Sequence, residues 1–180
     1  MKPSNLINMI WMQALWFAAV IGAGKDTLWL APIVLALFVY WQTRPVNHKS
    51  GDFKLVLVAV LIGLILDTTW IKLGWLEFSG NWPTADKAPL WILLLWAGLA
   101  LTLNHSLAWL QSKLWLAALL GGISGPLSYL GASRLDAVTI TTESSSWLFG
   151  LGTAWAVALP LLLWLAARLQ QDKQKEEDYV

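Results

Sequence analysis

Apolar residues in this chain do not alternate with polar ones; they run in long blocks separated by short stretches rich in glycine, proline and charge. Blocks at 5–22, 28–41, 53–73, 89–109, 114–132 and 146–167 read as helices immersed in a bilayer. A hydrocarbon core of about 30 Å takes about 20 helical residues, and a helix satisfies its own backbone hydrogen bonds where no water can. The intervening signals are Gly-Ala-Gly-Lys-Asp, the polar run 43–52, the long stretch 74–87, Gln-Ser-Lys, and 133–145. The second block is short for a crossing, so it either tilts little or lies partly in the interface. The pattern predicts an all-α fold, a polytopic membrane helix bundle of about six transmembrane helices. Residues 1–169 form a single transmembrane domain, and the tail 170–180, which alternates acids with bases, forms a solvated helix extension. Asn8 and Gln13 interrupt the first block where a signal-peptide core is apolar, so it reads as a retained span.

Charge orients this arrangement. With six spans, one side holds Lys2, Arg44, Lys49, Lys54, Lys113, Arg168, Lys173 and Lys175, whereas the other holds Lys25, Lys72, Lys87 and Arg134. The excess of cations on the side of both termini places the N and C termini in the cytoplasm. Composition agrees with immersion: at 57% hydrophobic and 13% charged, 180 residues have too much apolar surface for one small water-soluble core. Fourteen Trp against five Phe and three Tyr favour the aromatic that suits the headgroup region. The absence of Cys excludes disulfides, thiolate ligands and cysteine nucleophiles. With two His and no HxxE motif, no metal site is expected, and no cofactor is called for. No basic run is long enough for nucleic acid.

Helices in lipid approach closely through small residues spaced by four. Four spans carry such a seam: Ala14, Ala18 and Gly22; Ala59, Gly63 and Asp67; Ala117, Gly121 and Gly125; and Gly150, Ala154 and Ala158. The second puts a carboxyl on a packing face, turned into the bundle. The run Gly121-Gly122-Ile123-Ser124-Gly125-Pro126 predicts a kink or break in the fifth span, because Pro removes a backbone bond and the glycines weaken the preceding turn.

Depth decides which polar residues meet. Asp67 lies about 21 Å along the third span and Tyr129 about 22 Å along the fifth, at about 1.5 Å per residue. A carboxylate at that depth is costly unless paired, protonated or wet. Asp67, Tyr129 and Arg134 form the leading candidate constellation, with Arg134 reaching back towards Asp67. Trp70, Ser124, Asp136, Glu77 and Glu143 are its candidate neighbours. The bland alternative is a structural ion pair, or a helix-end carboxylate facing outer water. His105 and Asn104 lie near the inner end of the fourth span, too far to join Asp67. There a His shuttles a proton or contacts a phosphate headgroup, or only hydrogen-bonds a neighbouring helix. Asn5, Asn8 and Gln13 approach the same inner region and suggest a second polar cluster. The loop 74–83, which mixes aromatics with turn residues, suits a cap over the Asp67 pocket.

These motifs resemble a family of small bacterial inner-membrane proteins catalogued only as a domain of unknown function. The resemblance rests on Asn5-Leu6-Ile7-Asn8 with Gln13-Ala14-Leu15-Trp16-Phe17, on Pro89-Leu90-Trp91 with Leu95-Trp96, on His105-Ser106-Leu107-Ala108-Trp109-Leu110, and on Gly125-Pro126-Leu127-Ser128-Tyr129. It implies a multi-span protein of the bacterial inner (cytoplasmic) membrane and supplies no reaction. It also implies genomic neighbourhood with fatty-acid-modifying enzymes, which tilts the reading towards lipid. Three functions stay open. One is binding or modifying membrane lipid or acyl chains, with Asp67, Tyr129 and His105 as candidate catalytic groups and Arg134, Ser124, Trp70 and Asn104 as binding groups. The second is a small-solute or proton-coupled transporter using Asp67 and a broken fifth helix. The third is a scaffold that assembles partner membrane proteins, or copies of itself, through its small-residue seams.

Overall fold

The structure, a computed structural model, describes residues 2–178, with side chains through Gln171. It is an all-α bundle of six helices: α1 (Pro3–Gly24), α2 (Leu30–Gln42), α3 (Asp52–Lys72), α4 (Leu90–Leu103), α5 (Leu114–Ser133) and α6 (Ser146–Asp178). Four of them, α1, α3, α5 and α6 as far as Gln171, are long and apolar enough to cross a membrane. Their outward faces carry Ile10, Leu57, Ile65, Leu127, Phe149 and Val157, all exposed. This is the surface expected where lipid, not water, is the solvent, and the chain is a membrane protein.

The remaining helices, α2 and α4, have 13 and 14 residues, about 20 Å each at about 1.5 Å per residue. The apolar block expected to continue to Trp109 therefore stops as a helix at Leu103. A turn at 104–107 and a 3-10 turn at Ala108–Leu110 follow. Polar groups take over the carbonyls that the helix end leaves unpaired: Asn8 donates to the Leu101 carbonyl and Gln111 to that of Leu103, both at 3.0 Å.

The chain runs up and down. Asn8 of α1, Gln42 at the end of α2, Asp52 at the start of α3 and His105 beyond α4 meet at one end. The start of α3 also meets the far part of α6, since a Cβ on Gly51 would stand 3.2 Å from Leu169. The opposite end is closed by a two-stranded antiparallel sheet of β1 (Leu76–Phe78) with β2 (Val138–Ile140), in the register Leu76 to Ile140 and Phe78 to Val138. Alternation sets its faces: Leu76 and Phe78 are buried and Glu77 is exposed. Three-residue strands are too short to be legible as a period-2 pattern.

The small-residue seams behave unequally. Ala59, Gly63 and Asp67 are all buried, and a Cβ added at Gly63 would collide with the Trp96 ring of α4. Ala117, Gly121 and Gly125 are buried against α6, where added Cβ atoms would strike the carbonyl and ring of Trp155. On α6, Gly150 makes room for the Trp75 ring, and Ala158 is buried. On α1 the packing face is instead Leu15, Ala19, Gly22 and Ala23, and Ala14 is exposed. Leu15 and Met12 fit onto Gly98 of α4, so a large residue there displaces the Ala14 seam.

Of the kink or break expected in α5, the break does not occur. The helix is continuous through Pro126. Proline has no N–H to give the Gly122 carbonyl, and Gly152 of α6 faces that oxygen so closely that a Cβ there would stand 3.1 Å away. Close helix contact absorbs the defect, and α5–α6 is the most extensive helix pair. The tail continues as helix to Asp178; the side chains from 172 onward, and Tyr179 and Val180 altogether, lie outside the described residues.

Candidate functional site

Two buried polar clusters occupy different levels of the bundle, each around one carboxylate. In the first, Asp67 is fully buried on α3. The Trp96 indole N–H of α4 donates to one carboxylate oxygen at 2.8 Å, and the Tyr129 hydroxyl of α5 donates to the other. Trp96 stacks on Trp155 of α6 with ring centroids 4.6 Å apart. Phe78 of β1 sets its edge against Tyr129 and Trp91, so the loop after α3 does cap this site. An ionised carboxylate gains most from such donors where water is excluded.

A cavity of about 90 Å³ lies beside the cluster, between α1, α4 and α5. Its walls include Met12, Trp16, Leu95, Leu99 and Ala132; Ser128 and Tyr129 add hydroxyls. Helices α1 and α5 are not among the closely packed pairs. A hydrogen bond from the Trp16 indole to Ser128 Oγ, at 2.9 Å, spans the gap between them. Ser128 thereby accepts and keeps its own hydroxyl hydrogen to donate. Tyr129 donates to Asp67 and keeps its oxygen to accept.

The second cluster is richer in amides. Asn104 donates to Asp52 Oδ1 at 2.9 Å, Gln42 donates to Oδ2 at 3.2 Å, and His105 Nε2 lies 3.0 Å from Oδ2. The Gln42 amide also abuts His105 Nε2. Asn8 bridges to the Gln42 side-chain oxygen at 3.2 Å and accepts the Ser106 hydroxyl at 2.7 Å. Gln111 donates to Asn104 at 3.1 Å. Asn8, Gln42, Asp52, Asn104, His105 and Ser106 are all buried. The α4 terminus positions this set, because ending the helix at Leu103 turns three successive polar residues inward.

Of the residues singled out from sequence, Asp67 and Tyr129 meet, and Asn104 and His105 meet each other's partner Asp52. Arg134 is exposed and makes no ion pair with Asp67; two neutral donors stand where a cation was expected. Ser124 is exposed on the outside of α5, and Ser128, one turn on, faces the cavity instead. Trp70 is buried but stacks on Trp75, with centroids 5.4 Å apart. Asp136, Glu77 and Glu143 are exposed, as is Gln13. Sequence reasoning missed Trp96, Asp52 and Gln42. An indole N–H in mid-span needs an acceptor, which could have pointed to Trp96. Asp52 looked like loop punctuation beside Gly51, although it lies at the same depth as His105.

Residues 5–161 match the model of a family described as "Protein of unknown function (DUF2878)". No curated protein and no solved structure matches the chain.

Proposed function

Since the chain belongs to that family, whose description assigns no reaction, we propose from the site alone that it binds a membrane lipid by an acyl chain in the cleft between α1 and α5. The observation that carries this reading is the cleft itself, a cavity with apolar walls and two hydroxyls at one spot. Pockets of this composition take apolar ligands and orient them through a few polar groups. The acyl chain lies along Met12, Leu95 and Leu99. Its polar end, an acid or a hydroxyl-bearing ester, accepts from Ser128 through its carbonyl oxygen and donates its own hydroxyl to the Tyr129 oxygen. Asp67 holds the Tyr129 hydrogen, so the phenol oxygen meets the bound head as an acceptor, and the pair is placed to take a proton from it through the phenol to Asp67. The basic end, with His105, faces the cytoplasm of a bacterial inner membrane, and α2 and α4 complete six crossings by local thinning of the bilayer.

Photoactivatable phospholipid, with the reactive group in the acyl chain, tests this. Irradiation followed by peptide mapping is expected to label α1 near Met12 and α4 near Leu99, and Ala132→Phe, which fills the cavity, is expected to remove that label. Labelling spread evenly over the outward faces would overturn the reading. The transport alternative loses the broken helix it relied on, because α5 is continuous. Unchanged lipid composition in a deletion strain would confine the protein to binding rather than modification.

A further inference from the structure

The Asp52 cluster opens onto a second space that the lipid cleft does not use. A polar vestibule of about 470 Å³ sits at the basic end of the bundle, lined by Lys2 just before α1, Ser4 and Asn5 of α1, Asn47 and Lys49 of the α2–α3 loop, and His105. His105 is 7% exposed, and its Nε2 is engaged by Asp52 and Gln42. Its other ring nitrogen, Nδ1, has no hydrogen-bond partner among the described residues and belongs to a side chain that lines the vestibule. A histidine held through one nitrogen by a carboxylate is fixed in orientation, and it presents the other to whatever enters.

Charge says what enters. Among residues 2–171, every exposed acid, namely Asp26, Glu77, Asp86, Asp136 and Glu143, lies at the β-sheet end or in its loops. Among the same residues, the vestibule end carries exposed Lys2, Arg44, Lys49, Lys54, Lys113 and Arg168 and a single acid, Asp52, which is buried, accepts from Gln42 and Asn104 and has His105 Nε2 beside it. Three of these cations lie over aromatic rings: Arg44 on Tyr40, Lys113 on Trp109 and Arg168 on Trp164, at 5.1, 6.0 and 5.3 Å from the ring centroids. Paired cations and amphipathic rings mark headgroup depth.

We propose that this vestibule is a phosphate-binding site, in which Lys2 and Lys49 supply charge, Ser4, Asn5 and Asn47 supply neutral donors, and His105 donates from Nδ1. The Gln42 amide against Nε2 suits the ring form with its hydrogen on Nδ1, which donates into the vestibule. The phosphate is either the headgroup of an anionic lipid or a free soluble ion. The site is independent of the α1–α5 cleft, from which it differs in level and in walls.

The chain has two histidines, so ring-nitrogen NMR of the His48→Gln protein in maltoside micelles reports on His105 alone. One arm adds inorganic phosphate against matched chloride; the other transfers the protein into nanodiscs containing phosphatidylglycerol. The expected result is a saturable shift of the His105 signal in one arm, which names the source, and an affinity about tenfold weaker in Lys49→Gln, the loss of one charge-assisted contact. Lys49 is exposed, and the variant is expected to fold. A His105 signal unmoved in both arms would overturn the proposal, as would equal affinity of wild type and Lys49→Gln.

Discussion

Asp67 and Asp52 face the same difficulty, a carboxylate buried in a membrane helix bundle without a lysine or arginine partner, and they resolve it by opposite means. Asp67 sits in an aromatic box: one indole and one phenol donate to it, three helices close over it, and Gly63 and Gly125 are the hollows that let the flanking indoles in. Asp52 sits among amides and a histidine at the ragged ends of two short helices, beside an open polar space. Aromatic donors are rigid and few, so the Asp67 site tolerates no rearrangement. Amides can turn over and exchange partners, so the Asp52 site can. The closed site borders a cavity suited to an acyl chain, and the open site borders one suited to an anion.

Three substitutions sharpen the contrast. Gly63→Val drives side-chain carbon into the Trp96 ring, which is backed by Trp155 and cannot retreat. It is expected to cost about 3 kcal/mol, the upper range of overpacking, read as lost resistance to unfolding in mixed detergent. Asp67→Asn comes next. An amide offers one oxygen to two donors, and although Tyr129 can reverse its hydroxyl, Trp96 can only donate. The amide oxygen can keep Trp96 and its NH2 can face the Tyr129 oxygen, but both contacts lose charge assistance and the Tyr129 hydrogen loses its acceptor, for about 2 kcal/mol in the same assay. The identical change Asp52→Asn is expected to cost about 1 kcal/mol, because Gln42 and Asn104 can reorient around the new amide and water in the vestibule can stand in. Equal costs at the two positions would erase the distinction between a rigid and an adaptable site.

The sequence made the helices legible because apolar blocks of membrane length have few other fates. The meeting of Asp67 with Tyr129 was legible from depth alone, since rise per residue places both at one level. The partner of Asp67 was not. Arg134 had the right charge and roughly the right height, but which side of a helix faces inward depends on packing, and the Gly63 hollow selects Trp96. Ser124 and Ser128 make the same point, being one turn apart on α5 with only the second turned to the cleft. The early end of α4 escaped notice because 89–109 is apolar enough to continue. It stops because Asn104, His105 and Ser106 find partners on three other helices, which no local pattern reveals.

The contrast between a closed and an open carboxylate is tested most directly by hydrogen exchange of the groups that donate to them. In deuterated buffer, with the protein in nanodiscs, the Trp96 indole N–H is identified by its disappearance in Trp96→Phe. It is expected to persist long after the side-chain amide hydrogens of Gln42 and Asn104 have exchanged. An indole signal lost as fast as those amide signals would mean that water reaches Asp67 as readily as Asp52, and the account of two differently built sites would fail.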